Sequence, residues 1–197
     1  MLHTIPKKVI AVGADHTDRG HKIRSALASF LESSGRRVVL LDNNSPDDSY
    51  VRIAEEICRT IIMGRLIASQ DRSDIPDSAI LIDQFGSAMS SVANVFKGIT
   101  AAVTWGPDVA YEVTRKNNPA VLCIPTQTQG IGVLEEISPD YAIKIVEQWL
   151  NTEFLQDIPE KLRPRYILRQ KENDRIHVSA IAQVVKQASL FRNLSRR

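Results

Sequence analysis

The sequence predicts a doubly wound, Rossmann-like α/β fold: a five-stranded parallel sheet with helices on both faces and a C-terminal helical extension. Two observations carry that expectation. Apolar runs of strand length recur at residues 8–15 ("KVIAVGAD"), 37–43 ("RVVLLDN"), 79–83 ("AILID"), 100–105 ("TAAVTW") and 120–125 ("AVLCIP"), and they are continuous rather than alternating, as strands buried on both faces are. Between them lie segments of helical character, so the order is strand, helix, strand throughout.

The first candidate helix covers about 20–33, and the second about 50–63. Residues 64–78, "GRLIASQDRSDIPDS", are polar and broken by proline, which predicts an elongated surface loop. The third helix is expected at 88–96. The fourth, 107–117, starts at "WGPD", where Pro107 suits a first turn, and closes at "TRKNN", where Asn117 or Asn118 can act as a C-cap. The fifth, 139–150, has Ser138 as a cap and an apolar stripe of Ala142, Ile145, Val146 and Trp149. Beyond Pro164 the alternation stops, and "IHVSAIAQVVKQASLF" reads as one more helix. The expected organisation is an α/β domain over 1–154 and an extension over 155–197, packed on the domain or on a partner subunit.

Composition narrows the function classes. The chain has 197 residues, 43% of them hydrophobic and 24% charged, which suits a globular domain with a sizeable core. A net charge of +2 argues against a dedicated nucleic-acid surface. Cys58 and Cys123 are far apart and fit neither a zinc spacing nor a disulfide framework, so both are expected reduced, and no metal is expected. No stretch approaches the length of a membrane span, and the N-terminal run is too short and interrupted for a signal peptide; a cytoplasmic protein is expected.

In a doubly wound sheet, ligands sit beyond the carboxyl ends of the strands. Three such ends carry suggestive groups: "GADHTD", "DQFGSAMSS" and "TWGPD". The loop of Gly86, Ser87, Ala88, Met89 and Ser90 leads into a helix whose first N–H groups face outward, an arrangement able to hold a phosphate, a carboxylate or an enediolate. Asp83 beside it is a candidate general base for removing a proton next to a carbonyl. An Asx-type cap or a salt bridge is the structural alternative for Asp83, and a turn with a hydrogen-bonded histidine is the alternative for Asp15 and His16. Neither a G-x-G-x-x-G fingerprint nor a G-x-x-x-x-G-K-[ST] loop is present, so a nucleotide cofactor is disfavoured.

Four stretches in this order, "VIAVGADHTD", "ILIDQFGSAMSSVANVFKGITAAV", "RKNNPAVLCI" and "IVEQWLNTEF", resemble the family of type B ribose-5-phosphate isomerases and galactose-6-phosphate isomerase subunits. The resemblance spans roughly residues 8–154. It implies cofactor-free and metal-free interconversion of aldose and ketose phosphates through an enediol, in sites shared between subunits of a homodimer or homotetramer, or with a homologous partner subunit. It further implies that Asp15 and His16 contact the sugar and its phosphate, that Tyr50, Asn94 and Asn117 contact substrate, Asn117 from the paired-asparagine motif, and that Arg163 and Arg165 are candidates to grip phosphate.

The departures from the family pattern are specific. Asp83 stands where most members carry the cysteine that shuttles the proton, Phe85 where a threonine helps to open the ring, and Trp105 and Lys116 where some members place histidines. "DQFG" is similar to the A subunit of galactose-6-phosphate isomerase. Three functions stay open on the sequence: an active isomerase with Asp83 as base, a partner-dependent or non-catalytic subunit, and a phosphosugar-binding module without turnover.

Overall fold

The computed structural model describes residues 8–41, 49–66, 75–129 and 134–172. Strand β1 (Val9–Ala14) is followed by helix α1 (Asp18–Ser33), β2 (Arg37–Leu41), α2 (Tyr50–Leu66), β3 (Ser78–Asp83), α3 (Ser87–Ala93), β4 (Ala101–Val103), α4 (Pro107–Asn117) and β5 (Val121–Pro125). A short hairpin, β6 (Gln127–Gln129) with β7 (Leu134–Glu136), then leads to α5 (Pro139–Asn151). The five main strands form one parallel sheet in the order β2-β1-β3-β5-β4. The order turns about β1 and β3, whose neighbouring carboxyl ends form the crevice where folds of this class hold ligands.

Every residue of β1, β3 and β5 is buried, which explains their unbroken apolar runs. Side chains alternate between two apolar layers. Ile10, Val12, Ile80, Ile82, Leu122 and Ile124 face α1, α4 and α5, where Ile23, Leu27 and Trp149 meet them. Ala11, Leu81, Val121 and Cys123 face α2 and α3, where Ile57, Cys58 and Met89 close the second layer.

Local chemistry fixes the helix starts. Thr17 caps α1, its Oγ1 accepting from the Gly20 N–H at 3.0 Å, and the Ser138 Oγ caps α5 by accepting from the Tyr141 N–H at 3.2 Å. Asn118 closes α4 in the left-handed region at φ 47. The structure corrects two boundaries. Helix α2 continues through Gly64 to Leu66, into the segment expected to be loop. Gly64 lets Ile75 approach the helix closely: a Cβ there would come within 2.3 Å of Ile75 Cγ2. Helix α3 stops at Ala93, short of the expected 96, because the Asn94 side chain turns to the backbone of Ala101.

The chain divides into two compact units between Asp157 and Ile158. In the second, a 3-10 turn (Glu160–Leu162) runs into helical residues 163–172. The helix expected over 176–191 lies outside the described residues. Among the described residues no helix is long and apolar enough to cross a membrane, and no cluster of His, Cys, Asp and Glu could hold a metal ion.

Candidate active site

Two acids meet at the crevice between β1 and β3. Ala14 is in register with Ile82, and the Asp15 N–H donates to the Ile82 carbonyl at 2.8 Å, so Asp15 and Asp83 follow as neighbours on adjacent strands. Adjacent strands run about 5 Å apart, which places both carboxylates in one neighbourhood. Asp15 is 8% exposed and Asp83 5%.

Their surroundings differ. The Asp83 carboxylate is turned into the following loop: Oδ1 accepts from the N–H groups of Phe85 at 3.0 Å and Gly86 at 2.6 Å, and Oδ2 accepts from Met89 N–H at 2.9 Å. Gly86 makes this turn possible. It sits at φ 71, and an added Cβ would approach Val103 Cγ1 to 2.8 Å. At Asp15, Oδ1 accepts from the Thr17 N–H at 3.2 Å and the Thr17 hydroxyl at 2.5 Å. Among the described residues no hydrogen bond reaches Asp15 Oδ2. Gly20 lies directly beneath this carboxylate, where a Cβ would come within 2.4 Å of Oδ1.

The remaining sequence candidates separate into groups by position. His16 is exposed beside Asp15, and Tyr50, 42% exposed, opens α2 on the same edge of the sheet. In the loop, Ser87 is exposed, Ala88 is half-buried, and Met89 and Ser90 are buried; Ser90 Oγ donates to the Ser87 carbonyl at 3.0 Å. Asn94 and Asn117 lie at the opposite edge. The Asn94 amide exchanges two hydrogen bonds, 2.9 and 3.0 Å, with the backbone of Ala101 at the start of β4, and exposed Asn117 ends α4 just before β5 begins. Helices run antiparallel to the strands here, so the C-terminal residues of α3 and α4 lie at the edge opposite Asp15 and Asp83 of the same chain. Arg163 and Arg165 are exposed in the second unit, where Arg163 Nε donates to the Ile158 carbonyl at 3.1 Å.

Beside the Asp83 loop is a cavity of about 250 Å³ lined by Phe85, Trp105, Pro125, Gln127 and Thr128. A second of about 440 Å³ adjoins it across Trp105 and Thr128, and reaches Glu135, Glu136 and Tyr141. Phe85 and Trp105 are 49% and 53% exposed, so the departures noted in the sequence form an aromatic shelf at the carboxyl edge. Among the described residues neither lining contains a lysine or arginine. A larger hollow of about 480 Å³ runs along α2 from Arg52 to Gly64 and reaches Ile75.

Sequence reasoning missed the β6–β7 hairpin, whose Glu136 pairs with Arg19 on α1. The alternation in "QTQ" and the glycines of "GIG" were the available signal. Thr17 and Gly20 were also missed, although a threonine two residues after a strand-end aspartate is a recognisable cap pattern.

Comparisons with known proteins agree with this architecture. The chain is 29% identical over 129 residues to galactose-6-phosphate isomerase subunit LacB of Clostridium acetobutylicum, covering 66% of this chain and 68% of the relative. That relative is a B subunit, whereas the "DQFG" pattern pointed to the A subunit. Among solved structures, ribose-5-phosphate isomerase B of Clostridium thermocellum aligns with a TM-score of 0.68 at 22% identity, over 87% of this chain and 99% of the other. Ribose-5-phosphate isomerase B from Mycoplasma genitalium with bound ribulose-5-phosphate aligns at 0.65 and 22% identity, over 85% and 95%. These two show the shared fold. The profile of the family described as Ribose/Galactose Isomerase matches residues 10–163, and the chain belongs to that family.

Proposed function

We propose that this protein is an aldose–ketose isomerase of sugar phosphates, working through an enediol at the β1/β3 crevice. The observation that carries the reading is the pair of buried carboxylates, Asp15 and Asp83, at neighbouring strand ends of a chain in this family. Such chemistry needs a base beside the carbon acid and donors for the developing oxyanion. Asp83, the base expected from the sequence, could serve only through the lone pair that Met89 leaves on Oδ2. His16 and Tyr50 border the same edge and would contact the sugar.

A site shared between copies accounts for the rest. Among the described residues the two cavities at the carboxyl edge carry no lysine or arginine in their linings, and such a group would strengthen the hold on a phosphate. Asn117, on the far edge, would complete the site of a second subunit, either another copy or a homologous chain, and Arg163 and Arg165 are the candidates to grip phosphate. The test is ¹³C NMR of the purified protein with four- to six-carbon aldose and ketose phosphates, with binding measured in parallel by calorimetry. Conversion of one sugar supports the proposal. No conversion and no binding would remove it.

A second reading is favoured by the Asp83 loop. Its Phe85, Gly86 and Met89 N–H groups, which an open loop would offer to an enediolate, are already taken by the chain's own carboxylate. In that case the chain is a partner-dependent subunit or a phosphosugar-binding module, and calorimetry would show binding while NMR shows no conversion.

A further inference from the structure

We infer that Asp15, and not Asp83, is the carboxylate that carries the proton; the inference rests on the isomerase reading above. A carboxylate offers about four acceptor positions, two on each oxygen. Asp83 has committed three of them to backbone N–H groups, and those bonds hold the loop in its turn. To take a proton it would have to use the last position while remaining locked inside the loop. Asp15 has committed one oxygen alone, leaving both lone pairs of Oδ2 for a substrate carbon.

The free oxygen is also held in place. Thr17 clamps Oδ1 through both its N–H and its hydroxyl, and the same hydroxyl accepts from the Gly20 N–H, so the carboxylate is tied to the first turn of α1. Gly20 gives it room, because any side chain there would strike Oδ1. Thr17 and Gly20 are therefore positioning residues that act through Asp15. Asp83 shapes the loop next to it and keeps Phe85 at the rim of the aromatic shelf.

In the forward step Asp15 Oδ2 takes the proton from C2 of the aldose phosphate. The C2–H bond breaks, its electron pair becomes the C1=C2 double bond, and the carbonyl pair moves onto O1. The hydroxyl proton of O2 passes to O1 through water, the C2=O2 double bond forms, and Asp15 returns its proton to C1. The net change is one proton moved from C2 to C1 and one from O2 to O1, with no other reactant consumed.

The experiment compares wild type with Asp15→Asn, Asp83→Asn and Gly20→Ala for isomerisation rate, substrate affinity by calorimetry, and the backbone amide signals of Phe85, Gly86 and Met89. Asp15→Asn retains an oxygen for Thr17 and so keeps the fold. The expected result is a fall in kcat of roughly 100-fold or more with affinity nearly kept. Gly20→Ala should lower kcat by displacing Oδ1, with the loop signals unmoved. Asp83→Asn should shift the three loop amides and cost less in kcat than Asp15→Asn. Isomerisation surviving Asp15→Asn within a few-fold overturns the assignment, as does a larger loss in Asp83→Asn with unmoved loop amides. A wild-type protein that converts no sugar phosphate overturns the isomerase reading, and this assignment falls with it.

Discussion

At the scale of single residues, the two strand-end acids show that identity and position do not settle a role. Asp83 carries the fold through three N–H donors that would otherwise be left without partners in a nearly buried turn. Asp83→Ala should therefore lower stability by on the order of 3 kcal/mol in urea unfolding, since each unsatisfied buried donor costs about 1–3 kcal/mol. Gly86→Ala forces a side chain into φ 71 and against Val103, and should cost about 1–3 kcal/mol by the same measurement. The sequence places Asp83 at the strand end and the loop after it. Where the carboxylate points is another matter: that depends on Gly86 adopting positive φ and on the space left by Val103 and Pro125, which belong to strands distant in sequence.

At the scale of elements, the strands and helices were legible because both β faces are buried and because caps and prolines mark the helix starts. The apolar stripe of α5 and its Ser138 cap are where the periodicity puts them. Ser138→Ala should lower stability by about 1 kcal/mol, read as a lower melting temperature. The errors have local causes. Helix α2 runs past its expected end through a glycine against which Ile75 closes, and α3 ends early because Asn94 prefers the backbone of β4. Asn94→Ala should loosen this connection, costing about 1 kcal/mol for two exposed hydrogen bonds, with faster hydrogen exchange at the Ala101 amide. Asn94 thus has a structural task at the opposite edge from the crevice, one that a motif match alone does not reveal.

At the scale of the whole molecule, the sheet's second apolar layer contains both cysteines. Burial pushes the Cys58 thiol from 9.0 up to about 12, and burial, reinforced by the charge of Asp83 and by Cys58, raises that of Cys123. The folded state therefore holds protons that the unfolded chain releases near pH 9, so the thiols favour folding below that pH, and their contribution is lost as pH rises from about 9 towards 12. Denaturation midpoints should fall across that window, and the fall should lessen in Cys58→Ala. Native protein should resist thiol alkylation at neutral pH.

Fold class and strand-end acids were thus readable from the sequence, while the division of Asn117 and Asp15 between opposite edges of the sheet was not. That division comes from helices and strands running in opposite directions, which sends Asn117 to one edge and Asp15 to the other. The most direct test of the central claim is proton exchange at the carbon beside the carbonyl, followed by NMR in D₂O with a panel of aldose and ketose phosphates. The account predicts deuterium at that carbon of one sugar, with exchange abolished in Asp15→Asn while binding persists. A folded protein that binds phosphosugars but exchanges no proton with any of them would contradict it.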